Sequence, residues 1–202
     1  MVKKRSHIVI IFLAIALGSC DPHRFSVETK HPVDCRIFSD HNSVDSHLYG
    51  FDMHPDAIMQ VTSSAWTQYD LGVYVTLSGG EGFQLMLRPI VEENVIDSGL
   101  VLTFLSGGGY RLDSAGVMLD QNSSFRFPKN QQTYMTVYNE ESYLQVTVGC
   151  DTVMKRYTKR KSSDDIVLRT LPGSELRVLD PEWKRIRFVK EHDSKPDELK
   201  EP

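Results

Sequence analysis

Tyr69-Asp70-Leu71-Gly72-Val73-Tyr74-Val75-Thr76-Leu77 places Tyr, Leu, Val, Val and Leu at its odd positions, with Asp70, Gly72, Tyr74 and Thr76 between them. Successive side chains on an extended strand point to opposite faces, so the alternation predicts a β-strand with one face in a core. The same period recurs at Phe83, Leu85 and Leu87, at Leu100, Leu102 and Phe104, and at Leu144, Val146 and Val148. Ile166 and Leu168, Leu176 and Val178, and Ile186 and Phe188 continue it. Turn-forming residues separate these runs: Ser78-Gly79-Gly80, Glu93-Asn94, Ser106-Gly107-Gly108-Gly109, Asn139-Glu140-Glu141-Ser142 and Pro172-Gly173. Nowhere does an apolar spacing of three and four persist for three turns. The expectation is an all-β domain over residues 33–189, a two-sheet antiparallel sandwich of roughly a dozen short strands.

Upstream, Lys3, Lys4 and Arg5 precede an uncharged apolar run from Ile8 to Leu17, which ends in Leu17-Gly18-Ser19-Cys20. A basic segment, an apolar segment and small residues form the layout of a secretory signal. About ten apolar residues are too few for a helix to span a bilayer, which takes about 20. Leu17-Gly18-Ser19-Cys20 resembles the lipobox of bacterial lipoprotein precursors. That resemblance implies cleavage after Ser19 and a diacylglycerol on the Cys20 sulfur, giving a protein on the cell envelope, anchored by lipid to a membrane. Residues 1–19 are then a signal peptide, and the polar stretch 20–32, with two prolines, is a tether. Residues 190–202, charged and almost without apolar side chains, are expected to be a disordered tail.

Removing residues 1–19 from the 202-residue chain leaves 183, enough for one domain with a sizeable core. The formal net charge of −4 becomes −7 once Lys3, Lys4 and Arg5 are lost. An acidic surface sets nucleic acid aside as a partner, because phosphate neutralisation needs a basic face. With Cys20 given to the lipid, Cys35 and Cys150 remain, and in an exported chain their simplest reading is a disulfide. Closing a loop of that length would stabilise the fold by roughly 4–5 kcal/mol in the chain-entropy model. Two buried free thiols are the alternative.

The run Tyr134-Met135-Thr136-Val137-Tyr138, a turn, Tyr143-Leu144-Gln145-Val146-Thr147-Val148-Gly149, then Asp151-Thr152-Val153, resembles the back-to-back hairpins of concanavalin A-like and laminin G-like jelly rolls. Ile166-Val167-Leu168 and Ser174-Glu175-Leu176-Arg177-Val178-Leu179-Asp180 resemble their closing strands. The resemblance covers Tyr49 to Val189. It implies either a sugar-binding module or a glycoside hydrolase. The hydrolases of this fold carry Glu-x-Asp-x-x-Glu, with carboxylates on one strand face as retaining hydrolysis requires. That motif is absent here. Glu92-Glu93, Glu140-Glu141 and Asp164-Asp165 are adjacent pairs, and neighbours on a strand point apart. No catalytic residue is assigned.

Aromatic residues at loops would serve a sugar site, and Trp66, Tyr110 and Trp183 fit that description, each with core packing as the alternative. His41, His47 and His54 stand among four aspartates between Asp40 and Asp56, a window able to supply metal ligands. Their spacing matches neither a calcium loop nor a helical zinc site, so the plainer reading is a polar loop feeding a strand at Leu48 to Phe51. The basic run Lys155-Arg156-Tyr157-Thr158-Lys159-Arg160-Lys161 suits an anionic partner, or else a solvated hairpin tip protecting an edge strand. The glycine-rich turns lack the lysine and following helix of a phosphate loop, and no cofactor is expected. The expected function is a lipid-anchored, non-catalytic binding module with carbohydrate as first-choice ligand. The alternatives are an accessory lipoprotein holding another envelope protein and a hydrolase with an atypical site.

Overall fold

The computed structural model describes residues 24–27, 33–62, 69–92, 95–97, 99–140, 143–157 and 165–185. Seventeen strands run through them: β1 (Arg24–Val27), β2 (Val33–Ile37), β3 (Val44–His47), β4 (Gly50–Met53), β5 (Ile58–Thr62), β6 (Tyr69–Gly79), β7 (Gly82–Leu87), β8 (Ile90–Glu92), β9 (Val95–Asp97), β10 (Leu100–Leu105), β11 (Tyr110–Ser114), β12 (Val117–Asn122), β13 (Thr133–Glu140), β14 (Tyr143–Val148), β15 (Asp151–Tyr157), β16 (Ile166–Thr170) and β17 (Ser174–Arg185). They form an eight-stranded sheet in the order β1-β2-β5-β16-β7-β10-β11-β12 and a seven-stranded sheet in the order β15-β14-β13-β6-β17-β4-β3. A small β8-β9 ribbon stands apart from both. The chain is all-β, and the two antiparallel sheets face one another as a sandwich. The β1–β2 edge lies over β3 and β17. At the other edge Arg156 of β15 donates to the Leu119 carbonyl of β12 (3.3 Å) and faces Asp120 (3.8 Å).

The alternating runs supply the interior. Leu71, Val73, Val75 and Leu77 of β6, Val137 of β13, Leu144 and Val146 of β14, and Leu176 and Val178 of β17 are buried from one sheet. Phe83, Leu85 and Leu87 of β7, Leu102 and Phe104 of β10, and Ile166 and Leu168 of β16 meet them from the other. Each such side chain stabilises the fold by about 1.5–3 kcal/mol relative to exposure. Phe83 and Phe104 stack with centroids 4.9 Å apart, and the Phe127 ring closes the group at 5.2 and 5.3 Å. A buried polar tie joins the sheets where β7 ends: Arg88, at φ 53°, donates to Asn139 Oδ1 from Nε (2.9 Å) and Nη2 (2.7 Å), and to the Glu140 carbonyl.

Three expectations are corrected. The stretch expected as a tether, 20–32, contains β1, which pairs with β2 from Arg24↔Arg36 to Val27↔Val33. The strand expected over Leu48–Phe51 is instead the middle of the β3–β4 hairpin, with Leu48 and Tyr49 exposed at its turn. The Cys35–Cys150 bridge is not formed, and both thiols are free. Cys35 is buried on β2, near one edge of the sandwich, whereas Cys150 is exposed in the β14–β15 turn near the other. At about 4.8 Å per strand the five or so intervening steps set them roughly 24 Å apart, where bonded cysteines need Cα atoms within about 7 Å. Two cysteines left in a chain read as exported suggested the bridge, but the sheet order forbids it. Residues 1–23, 186–189 and 190–202 lie outside the described set, and the expectations placed on them, Cys20 included, lie there too.

Candidate functional site

The outward positions of the seven-stranded sheet are where side chains of binding chemistry gather. Directly paired residues share a face, so the even positions of β6 extend into rows across the sheet. Asp52 of β4, Arg177 of β17 and Thr76 of β6 form one row. Arg177 donates to Asp52 Oδ1 from Nε (2.7 Å) and to Oδ2 from Nη2 (2.9 Å), a two-pronged pair that fixes both side chains. His47 Nε2 lies 3.1 Å from Asp52 Oδ2, and His54 Nε2 lies 2.9 Å from Asp45 Oδ2. Hydrogen bonding from Arg177 holds the Asp52 carboxyl below the usual aspartate range, against the opposing effect of burial. The same pairing raises the Arg177 guanidinium. Asp52, His54, Thr76, Ser78, Glu175 and Arg177 line a cleft of about 300 Å³ floored by Met53 and Leu176.

The next row carries the aromatic element. Tyr74 of β6 pairs directly with Tyr134 of β13; their ring centroids are 5.0 Å apart, with 54° between planes, and both rings are exposed. Tyr134 lies over Gly72, where a Cβ would run into its hydroxyl. A glycine on this outward position therefore lets the ring lie down on the sheet instead of standing off it. One row further, Thr136 and Thr147 join hydroxyls at 2.6 Å. Beyond them Tyr138 of β13, Tyr143 of β14 and Tyr157 of β15 make a second aromatic group, with centroids 5.7 and 5.1 Å apart.

The residues singled out in the sequence fall elsewhere or turn to other partners. Tyr110 packs edge-on against Phe125 at 5.7 Å and sits against the core; burial, then Asp120, pushes its hydroxyl pKa up. Trp66 lies outside the described residues, and Trp183 is placed by its backbone alone, opposite Leu71 on β17. The three aromatics are thus not brought together. His47 and His54 flank the cleft but engage aspartates; the side chain of His41 lies outside the described set. Among the described residues no three His, Cys, Asp or Glu side chains are arranged to hold a metal ion. Lys155, Arg156 and Tyr157 stand on β15, an edge strand of its sheet. Sequence reading missed Arg177, Tyr74 and Tyr134, and took Asp52 only as one of the aspartates of the Asp40–Asp56 window. A usable signal was present: in both β6 and β13 an aromatic residue occupies the polar parity, where burial does not explain it.

No family model matches the chain, and no curated protein does. Among solved structures it is similar to the carbohydrate-binding module CBM66 from Bacillus subtilis, with a TM-score of 0.57 at 11% identity over 74% of this chain and 94% of that one. It is also similar to the exoplasmic/lumenal domain of VIP36 in its Ca²⁺/Man3GlcNAc-bound form, with a TM-score of 0.52 at 11% identity over 82% and 92%. A sialidase matches with a TM-score of 0.56 at 13% identity over 75% of this chain and 17% of its own length. The chain therefore has the β-sandwich fold of lectin-like and carbohydrate-module jelly rolls. At these identities the likeness speaks for the fold alone.

Proposed function

We propose that the domain is a non-catalytic carbohydrate-binding module, held at the bacterial envelope by lipid on Cys20. The observation that carries the binding reading is the exposed Tyr74–Tyr134 pair, with Tyr134 laid over Gly72, beside the Asp52–Arg177 cleft. The apolar face of a sugar ring stacks on an aromatic ring whose polar end stays in water. Planar carboxylate and guanidinium groups beside it offer paired acceptors and donors to neighbouring hydroxyls. The chemistry suits holding a sugar more than cleaving it. Asp52 is kept ionised by Arg177, the opposite of the raised carboxyl a glycosidic acid needs. The fold supplies a scaffold on which such sites are built, although fold does not fix function.

The test is a glycan array probed with the full chain and with Tyr134→Ala, each with and without calcium. Binding that is independent of calcium and lost in the variant is expected. Binding that survives the variant and disappears on chelation would move the site to the Asp40–Asp56 window. For the anchor, Cys20→Ser is expected to abolish palmitate labelling and release the protein from membranes; a labelled variant would sink that assignment.

One observation favours a second reading, an accessory lipoprotein that docks another envelope protein. Val117, Met118 and Leu119 are all exposed on the edge strand β12, beside Arg156. Met118→Asp would leave glycan binding intact but break co-purification with a partner if that edge is the working surface.

A further inference from the structure

The tyrosine face does not end at the cleft. Tyr138, Tyr143 and Tyr157 occupy outward positions of β13, β14 and β15, where Tyr143 pairs directly with Tyr157 and Tyr138 with Gln145. Tyr157 is 78% exposed, more than any other large apolar or aromatic side chain among the described residues. Between this group and the Tyr134 ring, which itself covers Gly72, the surface is low: Thr136 and Thr147 are short and bonded to each other. Two aromatic groups thus bracket a hydroxyl-lined trough. From the row of Tyr134 to that of Tyr157 is six residues along β13 and two strands across, roughly 22 Å at about 3.4 Å per residue and 4.8 Å per strand. A terminal sugar seated in the cleft would use none of that length.

The charge on the face narrows the ligand further. Among its residues with described side chains, Asp45, Asp52, Asp70, Glu140 and Glu175 outnumber Arg177 and Lys155. Arg177 and Asp52 offset one another as an ion pair, which leaves Asp45, Asp70, Glu140 and Glu175 against Lys155, whose ammonium lies 5.8 Å from the Tyr143 ring centroid. A polyanion laid here would meet like charges well within the screening length of about 8 Å.

Resting on the carbohydrate reading above, we infer that this face takes an extended, uncharged glycan strand, with the cleft and Tyr134 at one end and Tyr157 at the other. Several sugar rings bind at once, and the Thr136–Thr147 trough lets the chain cross from one aromatic group to the next.

Calorimetry of the full chain with di- and hexasaccharides of cellulose, chitin and starch, and with a hexagalacturonate, tests this. A neutral hexasaccharide is expected to bind at least tenfold more tightly than its disaccharide, and the charged hexamer more weakly than either. Tyr157→Ala should weaken the hexasaccharide about threefold to tenfold, the worth of one aromatic contact, and far more than the disaccharide. Thr136→Lys, which fills the trough, should do the same. Equal affinity for short and long chains, or preference for the charged hexamer, would overturn the extended-strand inference and leave the carbohydrate reading standing. Absence of binding by every hexasaccharide, with Tyr134→Ala indistinguishable from the parent on the array, would overturn both.

Discussion

Replacing Gly72 by alanine separates the proposed site from the fold. The backbone of Gly72 is ordinary strand, paired with Thr136 on one side and Glu182 on the other, so alanine fits its conformation. The added Cβ would strike the Tyr134 hydroxyl and Cζ, with Cε2 3.4 Å away, and all three lie towards the far end of one flexible side chain. The ring is therefore displaced while the sheet stays as it is. Glycine inside a strand is less stable than alanine by roughly 0.5–1 kcal/mol. Loss of the Tyr74–Tyr134 contact costs about 0.5–1.5 kcal/mol beyond area. The two nearly cancel, and the thermal midpoint is expected to move by no more than a few degrees. Sugar binding should fall at least tenfold, because a standing Tyr134 no longer offers its face. Scanning calorimetry and glycan titration on the same preparation decide the matter. Full binding by a folded Gly72→Ala protein would refute the claim that the reclining ring is the platform.

Other perturbations read other parts of the structure. Arg88→Ala strips the inter-sheet tie from buried Asn139 and should cost about 1–3 kcal/mol, seen as a lower urea midpoint at unchanged slope. Because the folded-state pKa of Asp52 is depressed, its pairing stabilises at neutral pH. That contribution is lost as pH falls below the ordinary aspartate range near 4, so Asp52→Asn should flatten the acid limb of stability against pH. In a Cys20→Ser background one thiol, Cys150, should react in the native state and a second, Cys35, only on unfolding. Cys35 is 2% exposed and burial drives its pKa up, so absence of both thiols would restore the disulfide.

The period-two runs revealed the sandwich because burial of one face writes itself into every second residue. Leu71 to Leu77, Phe83 to Leu87 and Leu144 to Val148 are all found where that rule puts them. Short or outward-facing strands escaped it. All six residues of β12 are exposed, so no burial rhythm marks them, and the β3–β4 hairpin divides at Leu48-Tyr49, two large apolar side chains that read as strand, with Gly50 only at the turn's end. The site was harder still. Asp52 and Arg177 are 125 residues apart in sequence and meet only because β17 lies beside β4. Loop aromatics looked like the obvious sugar contacts, yet the tyrosines that gather do so on strands, on the face that alternation alone labels merely as solvent.

The order of the strands also dictates when the domain can exist. The last two, β16 and β17, are inserted in the middle of their sheets, β16 between β5 and β7 and β17 between β6 and β4. Until the chain has been delivered as far as Arg185, both sheets have a gap at their centres, and early hairpins such as β3–β4 have no neighbour to rest on. Assembly must wait for contacts between residues more than a hundred positions apart, which makes for slow folding from a largely complete chain. If the chain is exported unfolded, as the lipid anchor proposed above requires, such a delay would be useful: the fold, and with it the tyrosine face, would close only on the far side.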